Sequence, residues 1–515
     1  MGTSTVGVLP ARRSLAAWAA LAAIAVVFSY VFTLVLAGAA AYLPYLLLTT
    51  TTALNVQVLF LFLGGIVVAA TMIWSLIPRQ DRFTPPGPLL SREEQPRLFA
   101  EIEQIAGAFR EPMPSAVYLT PEVNAWVGQR GGVMGIGSNR VMGLGLPLMQ
   151  ALSISQFRAV LAHEFGHFYE GDTRLGPWVY VARGAMVRTL ENLGSDSAFV
   201  EIIGKFSVAR LVHAFVLAIL TAYWKLFMRL TQFVSRKQEY RADELACAVA
   251  GAAALSDGLQ TVEGAAQALT EFWWAELVPS LQAGYRPPIA EGFGRFLRAP
   301  HVAASIKEHV ETVMRESRSN AYDTHPPLRD RIAAMRVPNL EPNAQLGEPA
   351  ASLLNNTDSL ELQIIGVVAP RLDTSSLKQV NWAAIGHEVY VPIWRRFTAE
   401  HSSVLEGTTV ASLPAVLKRV PEIASRMRDP AGTLLTPEQR EQRAGNVFWM
   451  AFALALMNGG WELHAQPGEF FLARGEQRLN PIECFTELRS GAKDGASWSE
   501  WSQSLGISDL PLVSL

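Results

Sequence analysis

His163-Glu164-Phe165-Gly166-His167 places two imidazoles and one carboxylate within little more than a turn of a predicted helix. Histidines four residues apart project from the same helical face, so one cation can accept a nitrogen from each. Glu164 lies about 100° round the helix, near the position of a water bound to that cation. The spacing predicts a zinc site on His163 and His167 with Glu164 as its general base.

The residues around this motif predict where its helix begins and which face is buried. Ser153 and Gln156 have the spacing of a capping box, and Gly171 offers a stop. Apolar residues at helical spacing predict a buried stripe of Phe157, Val160, Leu161 and Phe165. The alternative is a chance match in a helix whose histidines only pack or face solvent.

A catalytic zinc usually takes a third protein ligand and leaves one position for water. Residues 235–243, Ser-Arg-Lys-Gln-Glu-Tyr-Arg-Ala-Asp, lead into an alanine-rich second helix and place Glu239 and Asp243 on one face. We assign Glu239 as the third ligand and Asp243 as an acceptor that orients a metal-bound imidazole. The alternative is a solvated acidic face beside Arg236 and Arg241.

Four motifs together resemble the HtpX-like branch of the membrane-bound gluzincin metalloproteases, which is related more distantly to the CaaX prenyl proteases. The likeness covers roughly residues 95–335 and follows the order of the family. The motifs are Asn124-Ala125-Trp126, residues 159–162 leading into His163-Glu164-Phe165-Gly166-His167, residues 235–243, and Thr324-His325-Pro326-Pro327-Leu328 followed by Arg331-Ile332.

The resemblance implies peptide-bond hydrolysis, with His163, His167 and Glu239 binding zinc and Glu164 as the base. It also implies that His325 stabilises the tetrahedral oxyanion. The alternative is a loop histidine ahead of a Pro-Pro turn.

The Asn124-Ala125-Trp126 segment is expected on a sheet edge. Backbone groups there pair with an extended substrate.

The N-terminal region predicts a membrane anchor. No residue from Ser14 to Pro78 is charged, which is enough chain for two helices of about 20 residues each. We expect them near residues 15–37 and 55–77, with residues 39–55 as the connecting turn. The apolar core of a secretory signal peptide is only about 7 to 15 residues long, so the anchor is expected to persist.

Basic residues at both ends of this region predict its orientation. Arg12 and Arg13 precede the first span, and Arg79 and Arg82 follow the second. These four residues should stay in the cytoplasm, so the protease domain should face the cytoplasm from a membrane of the bacterial inner membrane type. Cys247 and Cys484, which are too far apart for a metal-binding pair, fit a reducing compartment.

A further apolar stretch lies between the two metal-binding motifs. Residues 211–224 are uncharged but short for a span. A single crossing would separate Glu239 from the histidines, so the interval must cross an even number of times or not at all. The partner segment, residues 178–206, carries six charged side chains, and we therefore expect a long helical hairpin against the membrane or the catalytic core.

The predicted fold is α+β: a mostly helical, zincin-type metalloprotease domain with an N-terminal transmembrane hairpin and a C-terminal α+β domain. The boundaries are residues 1–82 for the anchor, 83–336 for the protease domain, 337–351 for a linker and 352–515 for the C-terminal domain. Gln95 to Phe109 reads as an amphipathic helix and Val117 to Leu146 as a small sheet.

The composition of the chain argues against nucleic acid or a nucleotide as a binding partner. A net charge of −3 on 515 residues gives no basic footprint for nucleic acid, and no phosphate-binding loop stands between a strand and a helix. We expect an unfolded or membrane polypeptide as substrate and the lipid bilayer as a partner.

Two other functions remain open on the sequence. One is a non-catalytic membrane scaffold with structural zinc, which would have no use for Glu164. The other is a CaaX-type prenyl-protein protease, whose relatives have more membrane spans. Cobalt or manganese would also accept these ligands.

Overall fold

The computed structural model describes residues 13–50, 56–133, 136–169, 176–194, 207–316, 325–335, 347–427 and 434–513. The chain forms two compact units. The first contains Met1–Gly264 and Glu308–Val367, and the second contains Ala265–Lys307 and Val368–Leu515. Arg12, Gly171, Thr324 and most of the predicted linker lie outside the described residues.

The chain up to residue 250 consists of long helices and one small sheet. Its elements are α1 (Arg13–Thr50), α2 (Val56–Leu76), β1 (Leu89–Leu90), α3 (Pro96–Phe109), β2 (Ala116–Thr120), β3 (Ala125–Arg130), β4 (Asn139–Gly145), α4 (Leu146–Ala151), α5 (Ile154–Gly166), α6 (Gly176–Gly194) and α7 (Ser207–Ala250).

The rest of the described chain is mostly short helices with a two-stranded and a three-stranded sheet. Its elements are α8 (Ala252–Phe272), α9 (Val278–Gln282), β5 (Tyr285–Arg286), α10 (Ile289–Arg298), α11 (Pro300–Glu316), α12 (Leu328–Ala334), α13 (Thr357–Val368), β6 (Lys378–Gln379), α14 (Val391–Glu400), α15 (Ser402–Leu405), α16 (Leu413–Leu417), α17 (Val420–Arg426), α18 (Pro437–Asn458), β7 (Glu462–Gln466), β8 (Glu469–Arg474), β9 (Gln477–Leu479), α19 (Pro481–Ser490) and α20 (Gly495–Ser504), with π-helical turns at Trp273–Leu277 and Gly386–Tyr390 and 3-10 turns at Ala350–Leu353, Thr374–Ser376 and Val410–Ser412. The predicted α+β class with apolar N-terminal helices is confirmed.

Three of the described helices are long and apolar enough to cross a membrane: Ala23–Thr50 in α1, Val58–Leu76 in α2 and His213–Ala250 in α7. The prediction of a turn from residue 39 onward is wrong, because α1 continues to Thr50 with Pro44 inside it. The uncharged sequence favours helix, and an apolar helix tolerates a proline where its neighbours compensate. Residues 51–55 lie outside the described part of the chain.

The interval between the metal-binding motifs forms the helical pair α6 and α7, which packs against the anchor. Leu193 of α6 and Leu220 of α7 share a buried cluster with Ala37 of α1 and Met72 of α2. Arg188 of α6 donates to the carbonyl oxygen of Ser75 at 3.0 Å. Although residues 211–224 were judged short for a span, α7 as a whole is not, because it extends well past Lys225 and Arg229.

The sheet of the first unit has the strand order β1-β2-β4-β3. β2 and β4 are parallel, with Val117 opposite Met142, and β3 is antiparallel to β4, with Val127 opposite Met142. β3 is therefore an edge strand. The predicted amphipathic helix is α3, which buries Leu98, Ile102 and Ile105.

The second unit has a core of its own. α18 buries Phe448 and Phe452, and β7, β8 and β9 form an antiparallel meander. β5 pairs with β6, and Trp382 donates to the carbonyl oxygen of Pro288 at 2.7 Å. These contacts group residues 265–307 with the C-terminal residues, whereas the sequence analysis placed them in the protease domain.

α1 and α2 approach closely at Gly65, where an added Cβ would overlap the carbonyl oxygen of Ala40. We expect Gly65→Leu to force the two helices apart and to lower the free energy of unfolding by about 1–3 kcal/mol. Gly38→Leu is the matched control, since nothing lies within 4 Å of a Cβ there. Thermal unfolding in detergent should separate the two variants, and equal melting temperatures would contradict this helix contact.

Candidate metal centre

Two helices meet at the candidate site. A Cβ on Gly166 of α5 would lie 3.1 Å from the Cα and 3.2 Å from the carbonyl oxygen of Ala242 of α7. The backbones are thus nearly in contact between Glu239 and Asp243. The glycine of the first motif permits this approach, which places the acidic face of α7 over the histidines of α5.

The local sequence fixes the start of α5. The Ser153 hydroxyl accepts from the N–H of Gln156 at 3.3 Å, and the Gln156 side chain accepts from the N–H of Ser153 at 2.9 Å. This capping box confirms the prediction. Phe157, Leu161 and Phe165 are fully buried. α5 ends at Gly166, before the stop predicted at Gly171.

The structure brings the three predicted metal ligands together. The Nε2 atoms of His163 and His167 are 3.2 Å apart. Glu239 Oε2 lies 3.6 Å from His163 Nε2, and Glu239 Oε1 lies 3.4 Å from His167 Nε2. His163 and Glu239 are 6% and 4% exposed. All three groups can thus face one buried point.

The side chains fit a divalent ion. A tetrahedral zinc with bonds of about 2.0–2.1 Å separates its ligand atoms by about 3.4 Å, which matches the observed spacings. Glu239 Oε2 is buried without a hydrogen bond of acceptable geometry among the described residues, although His325 Nδ1 lies 3.0 Å away. Burial lowers the pKa of the His167 imidazole to about 4. His167 is therefore neutral near pH 7, the form that binds metals.

Asp243 lies behind His163. Its Oδ1 is 3.0 Å from His163 Nδ1, so the carboxylate can accept that N–H and direct Nε2 toward the metal position. Arg331 donates to the same carboxylate from Nη2 at 2.6 Å and from Nε at 2.8 Å. The sequence analysis gave Arg331 no role, although it stood in the fourth motif. Only the fold shows that this arginine, on α12, is buried beside α7.

Glu164 lies on the side of α5 that faces β3. The backbone N–H of Val127 donates to its carboxylate, and burial raises the pKa of this carboxyl to about 7. A base with such a pKa can both accept and release a proton near neutral pH. Glu164 is thus separate from the three ligands but adjacent to them.

His325 reaches the site from the loop before α12. Its Nδ1 lies 3.0 Å from Glu239 Oε2, and its side chain is 65% exposed. The adjacent Glu239 carboxylate raises the pKa of the imidazole. His325 is therefore at the open side of the cluster.

The Asn124-Ala125-Trp126 segment enters the edge strand β3. The carbonyl oxygen of Asn124 accepts from the N–H of Gly145 at 2.9 Å, so Asn124 and Trp126 point their backbone groups toward β4. By the alternation of an antiparallel ladder, Ala125 and Val127 direct theirs to the free edge. The Trp126 ring packs over Gly143, where a side chain would overlap it.

Comparison with known proteins now identifies this part of the chain. Residues 92–339 match the model of peptidase family M48. These residues are an HtpX-like M48 peptidase domain. The chain is 25% identical over 252 residues to the protease HtpX of Hahella chejuensis, covering 47% of this chain and 74% of that protein. It is 26% identical over 253 residues to HtpX of Cellvibrio japonicus, covering 47% and 73%.

An archaeal relative gives the same result. The HtpX homologue of Pyrococcus abyssi is 27% identical over 259 residues, which cover 49% of this chain and 77% of that protein. No solved structure matches. With its apolar helices and its His/Glu cluster, the chain is a membrane-associated protease of a metallopeptidase family.

Replacing Asp243 with Asn should weaken metal binding by about 10- to 100-fold, because His163 loses the charged acceptor that orients it. Glu244→Gln, one residue further along α7 and paired with Arg241, is the matched control. Competition with a zinc-sensitive chelator dye measures both affinities. Equal affinity in the two variants would show that Asp243 does not orient a ligand.

Proposed function

We propose that the protein is a membrane-anchored zinc-dependent endopeptidase that uses His163, His167 and Glu239 as metal ligands. The observation that carries the proposal is the convergence of their ligand atoms within 4.8 Å of one another, with Glu164 on the neighbouring face of α5. Two imidazoles and one carboxylate are the ligand set of many catalytic zinc sites. Cobalt or manganese would be accepted by the same atoms in vitro.

Zinc bound there would lower the pKa of a water molecule and polarise the scissile carbonyl group. Glu164 would take a proton from the attacking water molecule and pass it to the nitrogen of the leaving amine. Its raised pKa suits both transfers. His325, on the open side of the cluster, donates a hydrogen bond to the oxyanion of the tetrahedral intermediate.

Asp243 and Arg331 position these groups without touching substrate. Asp243 holds the His163 ring, and Arg331 neutralises Asp243 and lies 3.6 Å from Glu239. This arrangement keeps two acidic side chains ionised in a buried site.

The free edge of β3 supplies the substrate groove. The backbone groups of Ala125 pair with an extended peptide, which places a scissile bond beside Glu164, whose carboxylate accepts from the N–H of Val127. The Asn124-Ala125-Trp126 segment therefore acts through its backbone and its fold rather than through side-chain chemistry. An extended polypeptide is the substrate that such an edge selects.

We further propose that the substrate is an unfolded or membrane protein. The anchor lies in a membrane of the bacterial inner membrane type, and the peptidase domain faces the cytoplasm. The basic residues Arg12, Arg13, Arg79 and Arg82 at the ends of the first two spans support this orientation. The similarity to the HtpX proteases supports a polypeptide substrate.

Glu164→Gln tests the mechanism most simply. It removes the base but none of the ligands, so zinc content should stay at one per chain while hydrolysis of casein falls by about 10²- to 10⁴-fold. Glu244→Gln, the same substitution at a carboxylate outside the cluster, serves as the control. Metal analysis and a fluorescent casein assay measure the two quantities.

Activity in Glu164→Gln within a few-fold of wild type would reject the general-base role. Comparison of an unfolded membrane protein with a farnesylated peptide then separates quality-control proteolysis from a CaaX-type activity. Chelator treatment of the wild-type protein should abolish hydrolysis of whichever of these substrates it cleaves, and added zinc should restore it.

A further inference from the structure

Asp81 ties the turn between β3 and β4 to the end of the membrane anchor. The Asp81 carboxylate accepts from Arg130 Nε at 2.9 Å and Nη2 at 3.1 Å, and from the N–H of Gly131 at 2.8 Å. The N–H of Asp81 donates to the carbonyl oxygen of Gly132 at 3.0 Å. This bidentate ion pair with two backbone hydrogen bonds fixes the start of the turn.

The contacts of Asp81 with Arg130, Gly131 and Gly132, here called the tether, lie close to a membrane span in the sequence. α2 ends at Leu76, and five residues of chain reach at most about 18 Å, so Asp81 lies within that distance of the end of α2. Arg79 and Arg82, which flank the tether, are both exposed. Exposed basic residues beside the end of a span are typical of the cytoplasmic membrane surface.

The turn itself exposes apolar side chains. Val133 and Ile136 are joined by two backbone hydrogen bonds of 3.1 Å and 3.0 Å, and they are 42% and 76% exposed. From Gly131 to Gly137 the sequence has no side chain that is charged or forms hydrogen bonds. Gly132 has a φ of +73°, and a side chain there would overlap the carbonyl oxygen of Ile136. Glycine thus permits a tight turn, and the two described apolar side chains in it, Val133 and Ile136, are exposed.

β3 connects this turn to the candidate metal centre. Val127 contacts Glu164, and six residues later the strand has become the exposed turn at Val133. At about 3.3 Å per residue this separation is roughly 20 Å. The free edge of β3 therefore extends from the base toward the end of the membrane anchor.

We propose that Val133 and Ile136 insert into the cytoplasmic interface of the bilayer, so that β3 guides a polypeptide from the lipid surface to the metal centre. Lipid is the occupant of this apolar surface because the tether to Asp81 makes it continuous with the anchor. The exposed Arg79 and Arg82 suit the anionic headgroups of such a leaflet. The inference rests on the proposed function and adds the place of cleavage: polypeptide segments within about 20 Å of the bilayer surface.

Site-specific labelling tests the membrane contact without reference to activity. Ile136→Cys is introduced into the full chain with Cys247→Ala and Cys484→Ala, labelled with the fluorophore NBD, and reconstituted into phosphatidylcholine and phosphatidylglycerol vesicles that contain doxyl-labelled lipid. We expect blue-shifted NBD emission that the lipid quenches at least threefold more than at the control position.

Leu89→Cys in the same background is the matched control. Leu89 is 59% exposed on β1, at the opposite edge of the sheet. Leu89 is opposite Tyr118, which is opposite Gly143, which in turn is opposite Trp126. Leu89 therefore lies toward the end of the sheet that is far from the turn. Equal lipid quenching at the two positions, or equal quenching of both by aqueous iodide, would overturn the proposal.

A second experiment tests the consequence for substrates. The double variant Val133→Ser, Ile136→Ser should hydrolyse soluble casein at the wild-type rate. It should cleave a single-span membrane reporter, whose scissile bond lies within 20 Å of the bilayer, at least fivefold more slowly than wild type. An equal effect on both substrates, or none on either, would contradict the inference. If wild type cleaves neither substrate while NBD at position 136 contacts lipid, the proposed function fails and the membrane contact stands.

Discussion

The close approach of α5 and α7 at Gly166 and Ala242 is the constraint on which the candidate centre depends. More than seventy residues separate Glu239 from His167, and most of them belong to α6 and the apolar part of α7. A side chain at position 166 would displace Ala242 by a few tenths of an ångström. Metal sites tolerate little such displacement, since ligand atoms must stay close to their bonding distances. The small residues at this crossing are therefore a requirement of the metal centre as much as of packing.

This crossing of α5 and α7 also connects the membrane helices to the candidate metal centre. α7 supplies Leu220 to a cluster with α1 and α2, and further along the same helix it supplies Glu239 and Asp243. One rigid helix thus carries both membrane-packing and metal-facing side chains. β3 makes a second connection, because its first residues lie beside Glu164 and its last residue is bound to Asp81 after α2. Anchor and catalytic groups are joined at two places within the first compact unit.

Much of the candidate centre could be predicted from local sequence, because helical spacing alone places His163, Glu164 and His167 around one point. The capping box of α5 is a local signal of the same kind, and the expected edge position of β3 is confirmed. Arg331 was not, since its contact with Asp243 joins residues 88 positions apart. The turn predicted from residue 39 was wrong because the apolar helix α1 tolerates Pro44 in its interior. The length of α7 was underestimated because a short uncharged window was taken for the whole helix. The grouping of residues 265–307 with the C-terminal unit depends on tertiary pairing of β5 with β6, which no local pattern reveals.

Zinc K-edge X-ray absorption of the full-length protein, compared with Glu239→Ala, tests the central claim most directly. We predict a first shell of two imidazole nitrogens, one carboxylate oxygen and one water oxygen at about 2.0–2.2 Å in the wild type, and a changed oxygen shell in the variant. A sulfur ligand, or an identical spectrum from Glu239→Ala at the same zinc occupancy, would contradict the assignment of Glu239 as the third ligand.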